Sequence, residues 1–190
     1  MSRALKVTAV SGGLQRPSRT LALVEAILGE LNAALPIDAQ VIELGAIVPG
    51  LASTTARTAL PVDVFSQIEA IESSDLLIVA SPVYRASYTG LFKHLFDFVR
   101  QEALADVPVL LAATGGSDRH ALVIEHQLRP LFGFFQALTL PIGVYATESD
   151  FTDYRVSGAE LDARIKLAVE RALPYLQHRQ PADSYQAASV

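Results

Sequence analysis

Residues 75–90, DLLIVASPVYRASYTG, give the clearest indication of how this 190-residue chain folds. The run 76–80 is short, apolar and partly β-branched, which is typical of a strand buried on both faces of a parallel sheet. The run 81–90 then contains a proline, two tyrosines and an arginine, where an ordinary connection needs only a polar turn. We therefore expect a buried strand that is followed by a loop whose role goes beyond connecting two elements.

Composition limits the class of protein. With 190 residues and 51% hydrophobic content, the chain is expected to form one domain over residues 1–176. A polar tail, 177–190, follows, and a neighbouring subunit is a candidate surface for it to pack on. A net charge of −5 and a sequence pI of about 5.3, without a run of Lys or Arg, disfavour nucleic acid and anionic membranes as partners.

The absence of cysteine excludes disulfides, thiolate metal sites, iron–sulfur clusters and a cysteine nucleophile. The first ten residues contain too short an apolar run for a signal peptide. No stretch approaches the roughly 18 apolar residues of a membrane span. We expect a soluble cytoplasmic protein whose partners are small molecules or other protein chains.

Short β-branched runs alternate with longer helical patterns along the chain. The predicted strands cover residues 5–10, 40–44, 76–80, 107–113 and 140–145. The predicted helices cover residues 18–34, 63–73, 89–99, 119–137 and 158–175. Residues 45–61 are expected to form an irregular insertion over the sheet edge. This alternation predicts an α/β fold, a doubly wound five-stranded parallel sheet with helices on both faces.

Five strands fit two doubly wound orders, and we expect the order 2-1-3-4-5, in which strands 1, 3 and 4 are neighbours. Their carboxyl ends then form one crevice. Three unusual loops follow those strands: SGGLQRPSRT at 11–20, SPVYRASYTG at 81–90 and TGGSDRH at 114–120. Each loop alone has an ordinary explanation, because Gly, Pro and Ser collect in the loops of every such fold. Their meeting at one edge predicts a composite ligand site.

The first loop is suited to a phosphate. Ser18 is a good N-cap, and Arg19 and Thr20 add a cation and a hydroxyl to the first turn of the following helix. Unpaired amides and the positive end of the helix dipole attract an anion there. The loop lacks the Lys of G-x-x-x-x-G-K-S/T and the third glycine of G-x-G-x-x-G, so a mononucleotide phosphate ranks above a dinucleotide pyrophosphate. Glu43 is interpreted as a charge at a strand end.

The other two loops are suited to a flat ring. Pro82 fixes one φ angle and has no N–H, so the amides of Val83, Tyr84 and Arg85 are expected to face a planar ligand. Tyr84 and Tyr88 supply an aromatic wall. The third loop offers backbone that a heterocycle can approach closely, and its residues are Thr114, Gly115, Gly116 and Ser117. A flavin fits both features, because its ring is apolar on its faces and forms hydrogen bonds along its pyrimidine edge.

The three loops, in this order and at these spacings, resemble those of the NADPH-dependent FMN reductase family of flavodoxin-like proteins. Within it, residues 6–175 are most similar to the FMN reductases of two-component alkanesulfonate and methanesulfonate monooxygenases. The resemblance implies an FMN site formed by Ser11, Gly13, Gln15, Ser18, Arg19, Thr20, Pro82, Val83, Tyr84, Arg85, Thr114, Gly115, Gly116 and Ser117. Many relatives have G-S-x-R where this chain has Gly12-Gly13-Leu14-Gln15, which leaves Arg16 or Arg19 to replace one phosphate ligand.

The family's reaction, transfer of a hydride from NADH or NADPH to FMN, agrees with the residues. Hydride transfer needs no protein acid or base, because the cofactor carries the chemistry. The four histidines show no spacing typical of a metal site or of a Ser–His–acid triad. They are His94, His120, His126 and His178. We assign no catalytic side chain and no metal site. The amides of Gly115 and Gly116, at the start of the fourth helix, are expected to stabilise the negative charge of the reduced flavin.

Three functions are compatible with these residues. The leading one is a reductase that uses FMN as a loosely held substrate and supplies reduced FMN to an FMNH2-dependent monooxygenase, in the assimilation of sulfur from organosulfonates. The second is an FMN-retaining quinone or azo-compound reductase. The third is an electron carrier like flavodoxin, which the arginine of the first loop and the modest net charge disfavour.

Several polar residues have more than one interpretation. Arg85 contacts the flavin or the phosphate of the nicotinamide cofactor, or it pairs with a surface acid. Asp118 and Arg119 line the nicotinamide pocket, or they begin a helix. Lys93 and Asp97 are expected to form a solvated i, i+4 pair.

The predicted helix 119–137 carries more apolar surface than one stripe needs. Its large apolar residues are Leu122, Ile124, Leu128, Leu131, Phe132, Phe134 and Phe135. Pro130 is expected to bend it, and the mean hydropathy of +0.32 is consistent with burial of its second face in a homo-oligomer. The resemblance implies dimers and tetramers, and in some relatives an inserted Tyr forms a π-bulge at the tetramer interface. His126 occupies that position here. It either alters the packing at the interface or is an ordinary interface residue.

Overall fold

A parallel sheet forms the centre of the molecule. The computed structural model of the chain describes residues 3–176. The strands are β1 (Leu5–Ser11), β2 (Ile37–Glu43), β3 (Leu76–Pro82), β4 (Pro108–Gly115), β5 (Leu138–Thr139) and β6 (Val144–Thr147). They lie in the order β2-β1-β3-β4-β5, and β6 pairs with β4 beyond the end of β5. The predicted order 2-1-3-4-5 is confirmed.

Helices cover both faces of the sheet. They are α1 (Arg19–Ala34), α2 (Leu44–Leu51), α3 (Val62–Glu72), α4 (Gly90–Asp97), α5 (Arg129–Phe134) and α6 (Ala159–Leu176). Successive strand residues point to opposite faces, so Leu77 and Val79 pack with residues of α2 to α5, whereas Leu76 and Ile78 pack with residues of α1 and α6. Burial on both sides explains the continuous apolar run of β3.

The strand register brings the three unusual loops to one edge of the sheet. Ser11 of β1 lies opposite Ala80 of β3, and Pro82 of β3 lies opposite Thr114 of β4. Gly115 lies opposite Thr147, the last residue of β6. The carboxyl ends of β1, β3, β4 and β6 therefore meet, and the segment that follows β6 joins the three loops at this edge.

The prediction that residues 45–61 form an irregular insertion is wrong. Leu44–Leu51 is helix α2, with Pro49 inside it, and Arg57–Ala59 is a short 3-10 helix. Leu44 and Leu51 are seven residues apart, so they share one face of a helix, and both are fully buried. Burial of this face outweighs the low helix propensity of glycine and proline. The second strand consequently ends one residue earlier than predicted.

The predicted single strand 140–145 is also wrong. Only its last two residues belong to a strand, β6, whereas β5 precedes the predicted range, and the chain leaves the ladder between β5 and β6. Pro141 has no N–H to donate. Gly143 lies so close to Ile124 that a Cβ on the glycine would be 2.7 Å from Ile124 Cγ2. Both residues are suited to a break in the strand and not to its interior.

The predicted helix 119–137 is wrong as one regular helix. It consists of a 3-10 turn at Asp118–His120, a π-helix at Ile124–Leu128 and helix α5. Pro130 lies in the first turn of α5, where its missing N–H has little cost. His126 lies inside the π-helix with its side chain exposed. The other four predicted helices agree with α1, α3, α4 and α6 within two residues at each end.

A short hairpin follows β6 that periodicity did not predict. Its strands are β7 (Phe151–Thr152) and β8 (Arg155–Val156), which pair antiparallel. Asp153 and Tyr154 between them have φ angles of 48° and 58°, as in a type I′ turn. The turn places the Tyr154 ring beside the start of α1, with its centroid 5.3 Å from the guanidinium carbon of Arg19.

Two further expectations concern the chain as a whole. Within residues 3–176, no helix combines the length and the apolar character needed to cross a membrane. The tail 177–190 lies outside the described residues, so its contact with a neighbouring subunit stays a prediction.

Candidate functional site

A cleft lies at the edge where the carboxyl ends of β1, β3, β4 and β6 meet. It is lined by Gly13, Leu14, Gln15, Pro17, Ser18, Arg19, Thr20, Pro82, Val83, Tyr84, Thr114, Gly115, Gly116, Thr147, Glu148 and Tyr154. All three unusual loops contribute to this set, and so does the segment after β6. The three loops that the sequence was expected to bring together therefore line one cleft.

The start of α1 forms one end of the cleft. Ser18 is the N-cap, and its side-chain oxygen accepts a hydrogen bond of 3.2 Å from the amide of Leu21. The amides of Arg19 and Thr20 are the first two of the helix and have no intrahelical acceptor. No other acceptor for them occurs within residues 3–176. This end of the cleft therefore offers two free N–H groups at the positive end of a helix dipole.

Thr20 connects the first loop with the third. Its side chain is buried, and its hydroxyl lies 2.7 Å from the hydroxyl of Thr114 at the end of β4. A buried hydrogen bond between two loops fixes their separation, because leaving either hydroxyl unpaired is costly. This contact therefore holds the start of α1 against the end of β4.

Gly13 allows the first loop to fold back onto the helix cap. A Cβ at this position would lie 2.6 Å from the Ser18 side-chain oxygen. The Gly13 carbonyl accepts a hydrogen bond of 3.2 Å from the amide of Gly45 in α2. The glycine is thus required by close approach, and its φ is not positive.

The two arginines of the first loop point to different partners. Arg16 Nε donates to Glu43 Oε2 at 2.7 Å, and this hydrogen bond holds the pKa of the Glu43 carboxyl below its usual value. Arg16 and Glu43 line a neighbouring pocket and not the cleft. Arg19 lines the cleft and forms an ion pair with Glu148. Of the two arginines that the sequence offered as a phosphate ligand, Arg19 lines the cleft and Arg16 does not.

The second loop is a tight turn stabilised by its own backbone. The amide of Val83 donates to Thr114 O at 2.8 Å, and the amide of Tyr84 donates to Ser87 O at 2.8 Å. The prediction that these two amides face a ligand is therefore wrong. Arg85 and Ala86 form the turn with φ angles of 50° and 68°, which non-glycine residues seldom adopt.

The side chains of the second loop divide between the cleft and the core. Tyr84 lines the cleft and is 55% exposed. Tyr88 does not line it, because its ring packs against Phe92 with the centroids 5.8 Å apart. Its prediction as an aromatic wall is wrong for that reason. Arg85 is exposed outside the cleft lining and has no ion pair with an acid within residues 3–176.

The third loop begins inside the sheet. Gly115 belongs to β4, and the next helical turn starts at Asp118; the prediction that Gly115 and Gly116 begin a helix is wrong. A Cβ on Gly115 would overlap the hydroxyl of Tyr145, which donates to Ser117 O at 2.7 Å. Burial, with a smaller effect of the charge on Asp118, raises the pKa of Tyr145. Its hydroxyl therefore stays protonated and neutral at ordinary pH.

Three of the predicted site residues do not line the cleft: Ser11, Arg85 and Ser117. Ser11 is buried at the end of β1 and borders the neighbouring pocket. Ser117 contributes its carbonyl to the bond with Tyr145. Apart from Leu14, whose backbone belongs to the predicted phosphate loop, sequence reasoning missed four lining residues, Pro17, Thr147, Glu148 and Tyr154. The position of the last three after the fifth strand was the available signal, because that strand ends at the same edge.

Several of the titratable residues considered from the sequence lie outside the cleft lining. Within residues 3–176, no group of three or more His, Asp or Glu side chains is arranged to hold a metal ion. His94 has its Nε2 2.9 Å from Thr54 O and its ring edge against Phe98, away from the cleft. The predicted Lys93–Asp97 pair is present, and Asp118 and Arg119 belong to a 3-10 turn.

Comparison with known proteins agrees with this geometry. The sequence model of the family described as NADPH-dependent FMN reductase matches residues 5–152. The NADH-dependent FMN reductase SfnF of Pseudomonas fluorescens is 62% identical over 174 residues, which cover 92% of this chain and 93% of that protein. The FMN reductase (NADPH) of Pseudomonas aeruginosa is 60% identical over 174 residues, covering 92% and 94%.

A solved structure extends the agreement to the fold. An oxidoreductase from Corynebacterium diphtheriae has a TM-score of 0.82 and 33% sequence identity, over 94% of this chain and 100% of that chain. The names of the two Pseudomonas relatives differ in the nicotinamide cofactor, NADH in one and NADPH in the other. Both donors therefore have to be considered for this chain.

Proposed function

Because the chain belongs to the NADPH-dependent FMN reductase family, we propose that it reduces FMN with NADH or NADPH and releases the reduced flavin to a partner monooxygenase. The observation behind this proposal is one cleft that combines the free amides of Arg19 and Thr20 and the Arg19 guanidinium with the open backbone of Gly116. The enzyme is an oxidoreductase, and FMN and a nicotinamide dinucleotide are its cofactors.

The anion end fits the phosphate of FMN. The amides of Arg19 and Thr20 are free, the Ser18 hydroxyl lies beside them, and the Arg19 guanidinium adds a positive charge. Charge-assisted hydrogen bonds to phosphate oxygens are about twice as strong as neutral ones. The dipole of α1 adds to them because its positive end faces the same point.

The other end fits a planar ring. Pro82, Tyr84, Gly115 and Gly116 all line this part of the cleft. A Cβ on Gly116 would meet no heavy atom within 4 Å, so the surface in front of this residue is open. A flat heterocycle can therefore approach the backbone here, and a residue with a side chain would block it.

The reaction requires placement more than protein chemistry. Bound FMN supplies the chemistry, since its N5 atom accepts a hydride from the nicotinamide. Pro82, Tyr84 and the two glycines hold the ring plane, which lowers the entropic cost of bringing the two reactants together. The neutral Tyr145 hydroxyl next to Gly115 adds no negative charge that would oppose the charge of the reduced product.

We assign the finer features of the function on the resemblance of the three loops. The partner is an FMNH2-dependent monooxygenase that acts on organosulfonates, and the enzyme works in the cytoplasm, where NADH and NADPH are formed. FMN is a loosely held substrate and not a prosthetic group. Two aromatic residues and one acid at the rim of the cleft, Tyr84, Tyr154 and Glu148, are exposed, which is consistent with exchange of the ligand.

The proposal is tested by the FMN dependence of NADH and NADPH oxidation in air, with protein stripped of flavin. We expect the rate to keep rising beyond one equivalent of FMN per chain and then to saturate, because each turnover releases the flavin. A rate that reaches its plateau at one equivalent, and that then depends on added quinone or azo dye, would support an FMN-retaining reductase instead.

A further inference from the structure

Glu148 is the single acid among the residues that line the cleft within the described part of the chain. We propose that Glu148 competes with the flavin phosphate for Arg19 and thereby weakens the binding of FMN. The inference rests on the proposed function, since it concerns the same cleft, and it makes Glu148 a determinant of how readily the flavin leaves.

The side chains of Arg19 and Glu148 meet across the mouth of the cleft. Arg19 forms an ion pair with Glu148, and its guanidinium lies over the ring of Tyr154. The Arg19 and Glu148 side chains are 38% and 65% exposed. The cation that a phosphate needs is thus already held by a carboxylate and an aromatic ring, and the exposed carboxylate has room to move away.

The backbone around Glu148 is firmly anchored. Residues Glu148–Asp150 form a 3-10 turn closed by a capping box, in which Asp150 Oδ2 accepts from the amide of Thr147 at 2.7 Å and from its hydroxyl at 2.8 Å. The Asp150 carbonyl also accepts from the amides of Ser157 and Gly158, at 2.9 and 3.2 Å. The backbone of Glu148 is therefore held beside the cleft, and a carboxylate displaced from Arg19 stays within the reach of one side chain.

Stability of the fold does not explain the pair, because an exposed ion pair contributes little to folding. The ion pair has a larger effect on the binding of a phosphate. Binding requires Arg19 to exchange its carboxylate for the phosphate, and the displaced carboxylate leaves a second negative charge nearby. Together these terms are expected to raise the dissociation constant of FMN by about three- to tenfold. Weaker binding favours release of reduced FMN to a partner.

The test compares FMN with riboflavin, which has the same ring and no phosphate. Dissociation constants are measured from the quenching of flavin fluorescence for the wild type and for Glu148→Gln. We expect Glu148→Gln to bind FMN about three- to tenfold more tightly and riboflavin with unchanged affinity. The matched control is Glu102→Gln, which removes the same charge from an exposed turn that precedes β4, at the opposite end of the sheet.

A double variant tests the role of Arg19. If Glu148 acts by occupying Arg19, then the gain from Glu148→Gln should shrink in a protein that carries Arg19→Gln. A gain of full size in that background, an equal gain for riboflavin, or unchanged or weaker FMN binding by Glu148→Gln would each overturn the inference. Wild-type protein that binds no FMN would overturn the proposed function as well. Wild-type binding with no effect of Glu148→Gln would overturn the inference alone.

Discussion

Two glycines at the cleft allow neighbouring side chains to approach the backbone closely. None of the glycines within residues 3–176 has a positive φ, so conformational freedom does not explain Gly13 or Gly115. Gly13 leaves space for the Ser18 side chain, and Gly115 leaves space for the hydroxyl of Tyr145. The same two glycines therefore shape the cleft by letting neighbouring groups stand where a Cβ would be.

Gly115→Ala is the sharpest test of this view. The new Cβ overlaps the Tyr145 hydroxyl, so the ring must shift and its bond to Ser117 O must lengthen or break. We expect a loss of about 1–3 kcal/mol in the free energy of unfolding, measured by urea denaturation, together with weaker FMN binding.

The control for this prediction is the next residue. Gly116→Ala places its Cβ in open space, so its free energy of unfolding should stay within about 0.5 kcal/mol of the wild type. Removing the Tyr145 hydroxyl, with Tyr145→Phe, should recover part of the stability lost in Gly115→Ala. Equal stability of Gly115→Ala and the wild type would show that Tyr145 moves aside without cost.

At the scale of elements, the sequence predicts what depends on period and burial. The runs that became β1, β3 and β4 are apolar enough to be buried on both faces, and their alternation with helices determines the sheet order. The resemblance to the NADPH-dependent FMN reductase family, drawn from the three loops, is confirmed by the match over residues 5–152.

The missed elements depend on contacts that no local pattern contains. Helix α2 contains Gly45, Pro49 and Gly50, which favour irregular structure. Burial of Leu44 and Leu51 nevertheless makes it helical. The break between β5 and β6 accompanies the close approach of Gly143 to Ile124 in the π-helix. Gly143 and Ile124 are distant in sequence, so neither the strand break nor the π-helix could be predicted from its own local pattern.

The candidate site follows the same division. The edge rule for parallel sheets correctly brought the three loops together. It failed for Tyr88, whose ring packs against Phe92. It also failed for the amides of Val83 and Tyr84, which donate to the carbonyls of Thr114 and Ser87. Glu148 was missed because a single acid in an ordinary turn carries no motif, although its strand ends at the predicted edge.

At the scale of the whole molecule, two large apolar side chains near the π-helix are exposed to solvent. Leu122 is 62% exposed and Phe134 is 61% exposed, whereas Ile124, Leu128 and Phe132 from the same segment are buried. Exposed apolar side chains that form a contiguous patch usually mark an interface, and the sequence predicts burial of a second apolar face in this segment. We propose that the segment 119–137 joins the subunits of a homo-oligomer, a dimer or a tetramer.

Phe134→Asp tests this interface, because a charge there would have to be buried against the partner subunit. We expect the dissociation constant of the oligomer to rise at least about tenfold, measured by analytical ultracentrifugation. Val62→Asp is the control, since Val62 is 86% exposed at the start of α3. A wild-type chain that is monomeric, or an equal effect of both variants, would argue against an interface at this segment.

The position of the FMN phosphate in a crystal structure of the complex tests most directly whether the cleft is the flavin site. We predict phosphate oxygens within about 3 Å of the amide nitrogens of Arg19 and Thr20, and the ring between Tyr84 and Gly116. A phosphate held by Arg16 in the neighbouring pocket, or a ring remote from Gly116, would contradict the assignment.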